Sequence, residues 1–105
     1  MSLNLNIMQQ AKITYIEAVN AVCLATNISY PRVLSETRSR EVVVARQLIT
    51  YYAYHYGLLK YDFIANELGY SDHSTCCRSI TRVNAYISLK KESVMDAISK
   101  INNIL

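Results

Sequence analysis

Glycine and proline are nearly missing from this sequence, with two and one among 105 residues. A β-sandwich or barrel turns many times and places such residues at its turns, so their scarcity argues against all-β folds and for helices. No apolar run approaches the roughly 18 residues that a membrane-spanning helix requires. The opening residues, Met1-Ser2-Leu3-Asn4-Leu5-Asn6, put no basic group ahead of an apolar core, so no secretory signal is expected there. Cysteine is sparse: Cys23 stands alone and Cys76 and Cys77 are neighbours. Three such residues cannot all pair, and they read as reduced thiols of a cytoplasmic protein. A Gly-x-x-x-x-Gly-Lys-Ser/Thr loop is also lacking, so nothing in this chain cradles a nucleoside triphosphate.

What is present suits one globular domain spanning residues 1–105. The hydrophobic share is 51% and the charged share 18%, well away from the composition of a disordered tail. The net charge of +3 permits a polyanionic partner without requiring one. Its distribution says more. Lys12 and Glu17 cancel in the first third, and the basic surplus lies in the middle and end of the chain, at Arg32, Arg38, Arg40, Arg46, Lys60, Arg78 and Arg82.

Apolar residues recur at helical spacing along most of the sequence. Ile13, Ile16, Val19, Val22 and Cys23 predict a first helix over 8–26. Pro31 suits the first turn of a short helix ending at Leu34, and 35–39 reads as a polar loop. Val42, Ala45, Ile49, Tyr52, Ala53 and Tyr56 mark a long helix over 40–56, with Gly57 expected as its stop. A short helix over 60–68 would bury Phe63, Ile64 and Leu68 and stop at Gly69. Ser71 or Asp72 is expected to cap a helix over 73–87, with Cys76, Ile80, Val83 and Ile87 inward. Val94, Ala97, Ile98 and Ile101 predict a last helix over 91–103. The fold class is therefore all-α, a small helical bundle.

Residues 60–87 read as helix, tight turn, helix, which is the order of a helix-turn-helix whose second helix enters a DNA major groove. At 100° per residue, Ser74, Arg78, Thr81 and Arg82 fall opposite the apolar stripe, with Thr75 and Cys77 on its flanks. Small hydroxyl side chains let a helix approach base edges closely, and arginine reaches guanine or phosphate. The same polarity would also serve a merely solvated face. Asp72 opposes DNA by charge, but a role as N-cap or as acceptor for a cytosine amino group accommodates it.

Asp72-His73-Ser74-Thr75, preceded by Gly69 and followed by Arg82, resembles the signature of the C-terminal DNA-binding domain of the bacterial chromosomal replication initiator DnaA. That motif runs Gly-Gly-Arg-Asp-His-Thr/Ser-Thr-Val. Upstream, Arg38-Ser39-Arg40 is similar to the family's basic loop, and Ala45-Arg46-Gln47 to its Pro-Arg-Gln at the start of the long helix. The order of helices follows the family from about residue 12 to 87. The resemblance implies a Trp-repressor-like helical bundle that binds a short asymmetric duplex as a monomer unit, its motif helix in the major groove and its basic loop in the minor groove. Carried over residue by residue, Asp72, His73, Ser74 and Thr75 would meet bases or nearby phosphates. Cys77 stands where the family's leucine touches a thymine methyl. Arg38 would enter the minor groove, with Arg40 in the same basic loop. Arg46 and Gln47 would reach backbone and bases, Lys60 would hold a phosphate at a helix start, and Arg82 matches a basic family position. Arg78 stands where histidine is common. Ser71 replaces the cation before Asp-His, Tyr70 replaces the second glycine, and Glu36 and Glu41 flank the loop. These departures imply weaker binding or a different site.

The function expected is sequence-specific binding of double-stranded DNA by a stand-alone replication-initiator-type domain, without enzymatic activity, cofactor, nucleotide or membrane. A second copy or a replication protein are the further candidate partners. Replication initiation or its regulation, at an origin-type site, is the process the family implies. The alternative is a helical protein-interaction module that has lost DNA affinity. Tyr51, Tyr52, Tyr54, Tyr56 and Tyr61 would then be a docking patch; otherwise they pack the core and its rim. Asp72-His73-Ser74 holds the residue types of a hydrolase triad, but sequence neighbours on one helix rarely place the base between nucleophile and carboxylate. Zinc needs about four convergent ligands, and His55, His73 and the cysteines show no paired spacing.

Overall fold

A computed structural model describes residues 12–105, and the part of the first predicted helix at 8–11 lies outside the described residues. Among the described residues six helices follow one another: α1 (Tyr15–Thr26), α2 (Tyr30–Leu34), α3 (Arg40–His55), α4 (Tyr61–Leu68), α5 (Ser74–Ser88) and α6 (Glu92–Ile104). The described chain has no strand.

The helix starts and stops have identifiable causes. A capping box opens α1: Glu17 N–H donates to Thr14 Oγ1 at 3.0 Å, and Thr14 N–H donates back to Glu17 Oε1 at 2.8 Å. This fixes the helix start at Tyr15, so Lys12 to Thr14 are not helical. Asn27 closes α1 in left-handed backbone (φ 58). Ser29 caps α2, with Pro31 in its first turn.

Gly57 is not the left-handed stop that the sequence suggests. Tyr56 is the C-cap of α3, and the left-handed residue is Leu58 (φ 56). Gly57 is needed for room. A Cβ there would lie 2.6 Å from the Ala53 carbonyl oxygen and 3.0 Å from that of Ile13. The segment leading into α1 passes this point, and Ile13 N–H donates to the Tyr56 carbonyl at 2.9 Å.

The core is organised around α3, which packs against α1, α2, α4 and α5, while α6 closes the far side against α1 and α5. Val42, Ala45, Leu48, Ile49, Tyr52 and Ala53 of α3 are buried against Ala18, Ala21 and Val22 of α1, Ile64 and Leu68 of α4, Cys76 and Val83 of α5, and Val94, Ile98 and Ile101 of α6. Three expected core residues are instead on the surface. Ile16 is 68% exposed because α1 turns its alanine-bearing face, Ala18 and Ala21, inward, where small side chains let helices approach closely. Phe63 is 43% exposed and meets Tyr15 edge-on at 5.8 Å. Tyr56 is half open and stacks on the buried Tyr52 at 5.1 Å. Leu48, Ala65 and Ser79 take up core positions that the periodic reading passes over.

Candidate nucleic-acid interface

The turn between α4 and α5 is shaped by three local devices. Gly69 adopts φ 77, a conformation that strains any residue with a Cβ. Tyr70 N–H closes α4 by donating to the Ala65 carbonyl at 2.9 Å. The Tyr70 side chain reaches back to α3, its hydroxyl 3.3 Å from Thr50 Oγ1. Asp72 then opens α5: its Oδ1 accepts from Ser74 N–H at 3.0 Å, while Thr75 and Cys76 N–H groups bond the carbonyls of Asp72 and His73. Bonds from the Ser74 backbone and hydroxyl, followed by the charges of His73 and Arg78, hold the Asp72 carboxyl below the usual carboxylate range. The helix proper begins at Ser74, one residue later than expected; His73 holds the N-cap position without a side-chain bond, and the carboxylate that bonds the first turn comes from Asp72, one residue earlier.

Along α5, Cys76, Ser79, Ile80 and Val83 face the core. Cys77, Arg78, Thr81 and Arg82 are exposed, and Ser74 and Thr75 are half-exposed. The hydroxyl-lined side of the helix is therefore open. Arg78 lies along it, donating to Ser74 Oγ at 3.4 Å and Thr75 Oγ1 at 3.2 Å. His73 Nδ1 is 3.3 Å from Asp62 Oδ1 of α4, which orients the imidazole at the start of α5. With His73 on Asp62 and Ser74 bonded by Arg78, the triad residue types are not arranged as nucleophile, base and orienter. Tyr61 lies beside Cys77; its phenol is pushed above its usual range first by hydrogen bonding with that thiol, then by burial and Tyr54. Cys76 is buried, its thiol pushed up to about 11 chiefly by that burial. Lys60 is exposed at the N-cap of α4, whose first turn has no side-chain cap.

The basic loop lies across an open groove from this turn. The groove encloses about 1120 Å³ and is lined on one side by Leu34 to Arg38 and on the other by Gly69 to Ser71, Thr75 and Arg78. Arg38 and Arg40 are exposed. Among the described residues, neither they nor Arg78 and Arg82 are ion-paired with a carboxylate.

Arg46 and Gln47 are half-exposed, and both are bonded within the protein. Arg46 Nε donates to the Val33 carbonyl at 2.7 Å, and its Nη2 to the carbonyls of Ser35 at 2.8 Å and Thr37 at 2.9 Å. Gln47 Oε1 accepts from the Tyr86 hydroxyl at 3.2 Å, joining α3 to α5. Nothing in residue type or spacing signals either arrangement, because the partners of Arg46 are backbone carbonyls. Among the tyrosines, Tyr52 is core, its hydroxyl donating to Asn102 Oδ1 at 2.9 Å, while Tyr54 packs on Tyr61 at 4.7 Å on the rim. Among the described residues, no group of three or more His, Cys, Asp or Glu side chains converges to hold a metal.

Comparison with known proteins gives the same lineage as the motif. The family described as the bacterial dnaA protein helix-turn-helix matches residues 16–83. The chromosomal replication initiator protein DnaA of Helicobacter hepaticus (strain ATCC 51449 / 3B1) is 29% identical over 105 residues, covering 97% of this chain and 23% of that protein. The protein of the same name from Spiroplasma citri is 32% identical over 89 residues, covering 85% of this chain and 20% of that protein. The chain thus spans less than a quarter of the length of these relatives. No solved structure matches it. With the family covering the first helix of the motif, the second as far as Val83, the long helix and the loop before it, this chain belongs to the bacterial DnaA helix-turn-helix domains.

Proposed function

We propose that this domain binds double-stranded DNA sequence-specifically, with α5 in the major groove and the 35–39 loop at the adjacent minor groove. The observation that carries the reading is the open side of α5, with its hydroxyls and with guanidinium groups that no carboxylate pairs among the described residues, set across a groove from a second basic segment. His73, Ser74, Thr75 and Cys77 face base edges in this reading, and Asp72 adds its free carboxylate oxygen as an acceptor. Arg38 enters the minor groove. Arg40, Lys60, Arg78 and Arg82 supply phosphate contacts. Arg46 and Gln47 act from behind, holding the loop and α5. Kinship with replication initiators supports an origin-type duplex as the target and initiation or its regulation as the process. A chromosomal target implies action in the cytoplasm. The domain is assigned a binding role, with no reaction, nucleotide or metal of its own.

The test is selection from a random duplex pool with purified protein, followed by anisotropy titration of the recovered duplex. Recovery of a single motif is expected. His73→Ala or Thr75→Ala should then cost about 1–3 kcal/mol on that duplex and relax preference at one or two base pairs. If no duplex is retained even at about 50 mM salt, the DNA reading fails and a protein-interaction module takes its place.

A further inference from the structure

We infer that Arg46 is a positioning residue: it fixes the 35–39 loop against α3 before any duplex arrives, and so sets where Arg38 is presented. This rests on the DNA-binding reading for its purpose, but not for its geometry. Three of the five N–H donors of a guanidinium are occupied here, by the carbonyls of Val33, Ser35 and Thr37. Those carbonyls alternate along the chain, and one planar fork gathers all three. Val33 lies in the last turn of α2, where carbonyls lack helical partners and a cation is favoured. Thr37 immediately precedes Arg38. Of the loop's other local bonds, Ser35 Oγ donates to the Arg32 carbonyl at 2.6 Å and ties the start of the loop to α2, whereas farther along Thr37 N–H to Ser35 Oγ is 3.5 Å and Ser39 N–H to Thr37 Oγ1 is 3.3 Å. Past Ser35, the guanidinium bond to the Thr37 carbonyl at 2.9 Å is shorter than either of these and is charge-assisted, so it holds the part of the loop that precedes Arg38.

The same turn of α3 also holds the opposite wall of the groove. The Arg46 carbonyl accepts from Thr50 Oγ1 at 2.9 Å, and that oxygen is 3.3 Å from the Tyr70 hydroxyl. The basic loop and the helix-turn-helix turn are therefore both tied to the Arg46–Thr50 turn, one through a side chain and one through a backbone carbonyl. That shared anchor sets the separation between the two proposed contacts on the duplex. Lysine keeps the charge of Arg46 but offers a point donor in place of a fork, so it cannot reproduce the geometry.

Two measurements test this. In the free protein, hydrogen exchange of amides 35–39 should quicken by about tenfold or more in Arg46→Lys and Arg46→Ala while amides 48–53 keep their protection. Wild-type exchange in the loop overturns the inference, and this arm stands even if no duplex is ever bound. On the selected duplex, Arg46→Lys should lose affinity about as much as Arg46→Ala. Arg38→Ala should add little in either background, because both changes remove one contact. Additive losses, with a further fall of about 0.9 in the salt slope when Arg46→Ala is combined with Arg38→Ala, would show Arg46 gripping phosphate itself and overturn it. Wild-type affinity in Arg46→Lys would do the same.

Discussion

The salt response of duplex binding can be worked out from the cations that the fold leaves free. Arg38, Arg40, Lys60, Arg78 and Arg82 are exposed on the candidate face, whereas Arg46 is bonded to three carbonyls. If each of these five displaces one condensed counterion, log K should fall with log salt at a slope of roughly −4.5. Between about 50 and 200 mM salt, that slope removes about 500-fold in affinity. Glu36 and Glu41, exposed beside the loop, weaken binding at every salt concentration without releasing counterions. Replacing Arg82 by alanine should flatten the slope by about 0.9, whatever the duplex sequence. Anisotropy titrations at four or five salt concentrations, with the selected duplex and a scrambled one, measure both quantities. A slope near zero, or one unmoved by Arg82→Ala, would refute the placement of these cations against the duplex.

Other expectations concern stability and access. Gly57→Ala should destabilise by about 1–3 kcal/mol through overpacking, because the new Cβ meets two backbone oxygens and neither is at the end of a movable side chain. In a thermal melt that is a fall of roughly 5–15 °C; an unchanged or raised midpoint would mean that the two backbone segments yield room for a side chain at Gly57. Asp72 has a depressed carboxyl pKa in the folded state, so its contribution is present above the ordinary carboxylate range and is lost as pH falls through the folded value. The stability difference between wild type and Asp72→Ala should therefore narrow on acidification, as followed by urea titrations at several pH values; a constant difference would deny that the ionised carboxylate is the cap. Cys77 is exposed and Cys76 is buried with its thiol pushed up to about 11. Maleimide should modify Cys77 well before Cys76, and the selected duplex should protect it, with peptide mapping as the readout; equal modification with and without duplex would place Cys77 away from the DNA.

Helix number, order and approximate length were legible because apolar residues at three- and four-residue steps report a buried face directly. The open side of α5 was legible for the same reason: Cys76, Ile80 and Val83 fix the buried arc and leave Arg78, Thr81 and Arg82 opposite. The start of α1 was less so. Thr14 and Glu17 form a capping box, but the apolar residues before them extended the periodic pattern past it. Ile16 and Phe63 carry apolar side chains at plausible spacing, and only the packing of neighbouring helices decides which arc is covered. Gly57 and Arg46 illustrate a different limit. One is constrained by a backbone oxygen from a segment more than forty positions away, the other by carbonyls that every residue possesses. Contacts of that kind leave no mark in residue type, so the motif carried no sign that Arg46 is bonded to three carbonyls.

The sixth helix lies beyond the stretch that the family match covers, yet it supplies a wall of the interior: Val94, Ile98 and Ile101 are buried there, and Asn102 holds the Tyr52 hydroxyl. None of these residues is on the candidate DNA face. The last helix thus contributes to the core through side chains separate from those proposed to meet DNA. A designer could stiffen or soften the scaffold through the last helix without substituting any residue of the proposed DNA face.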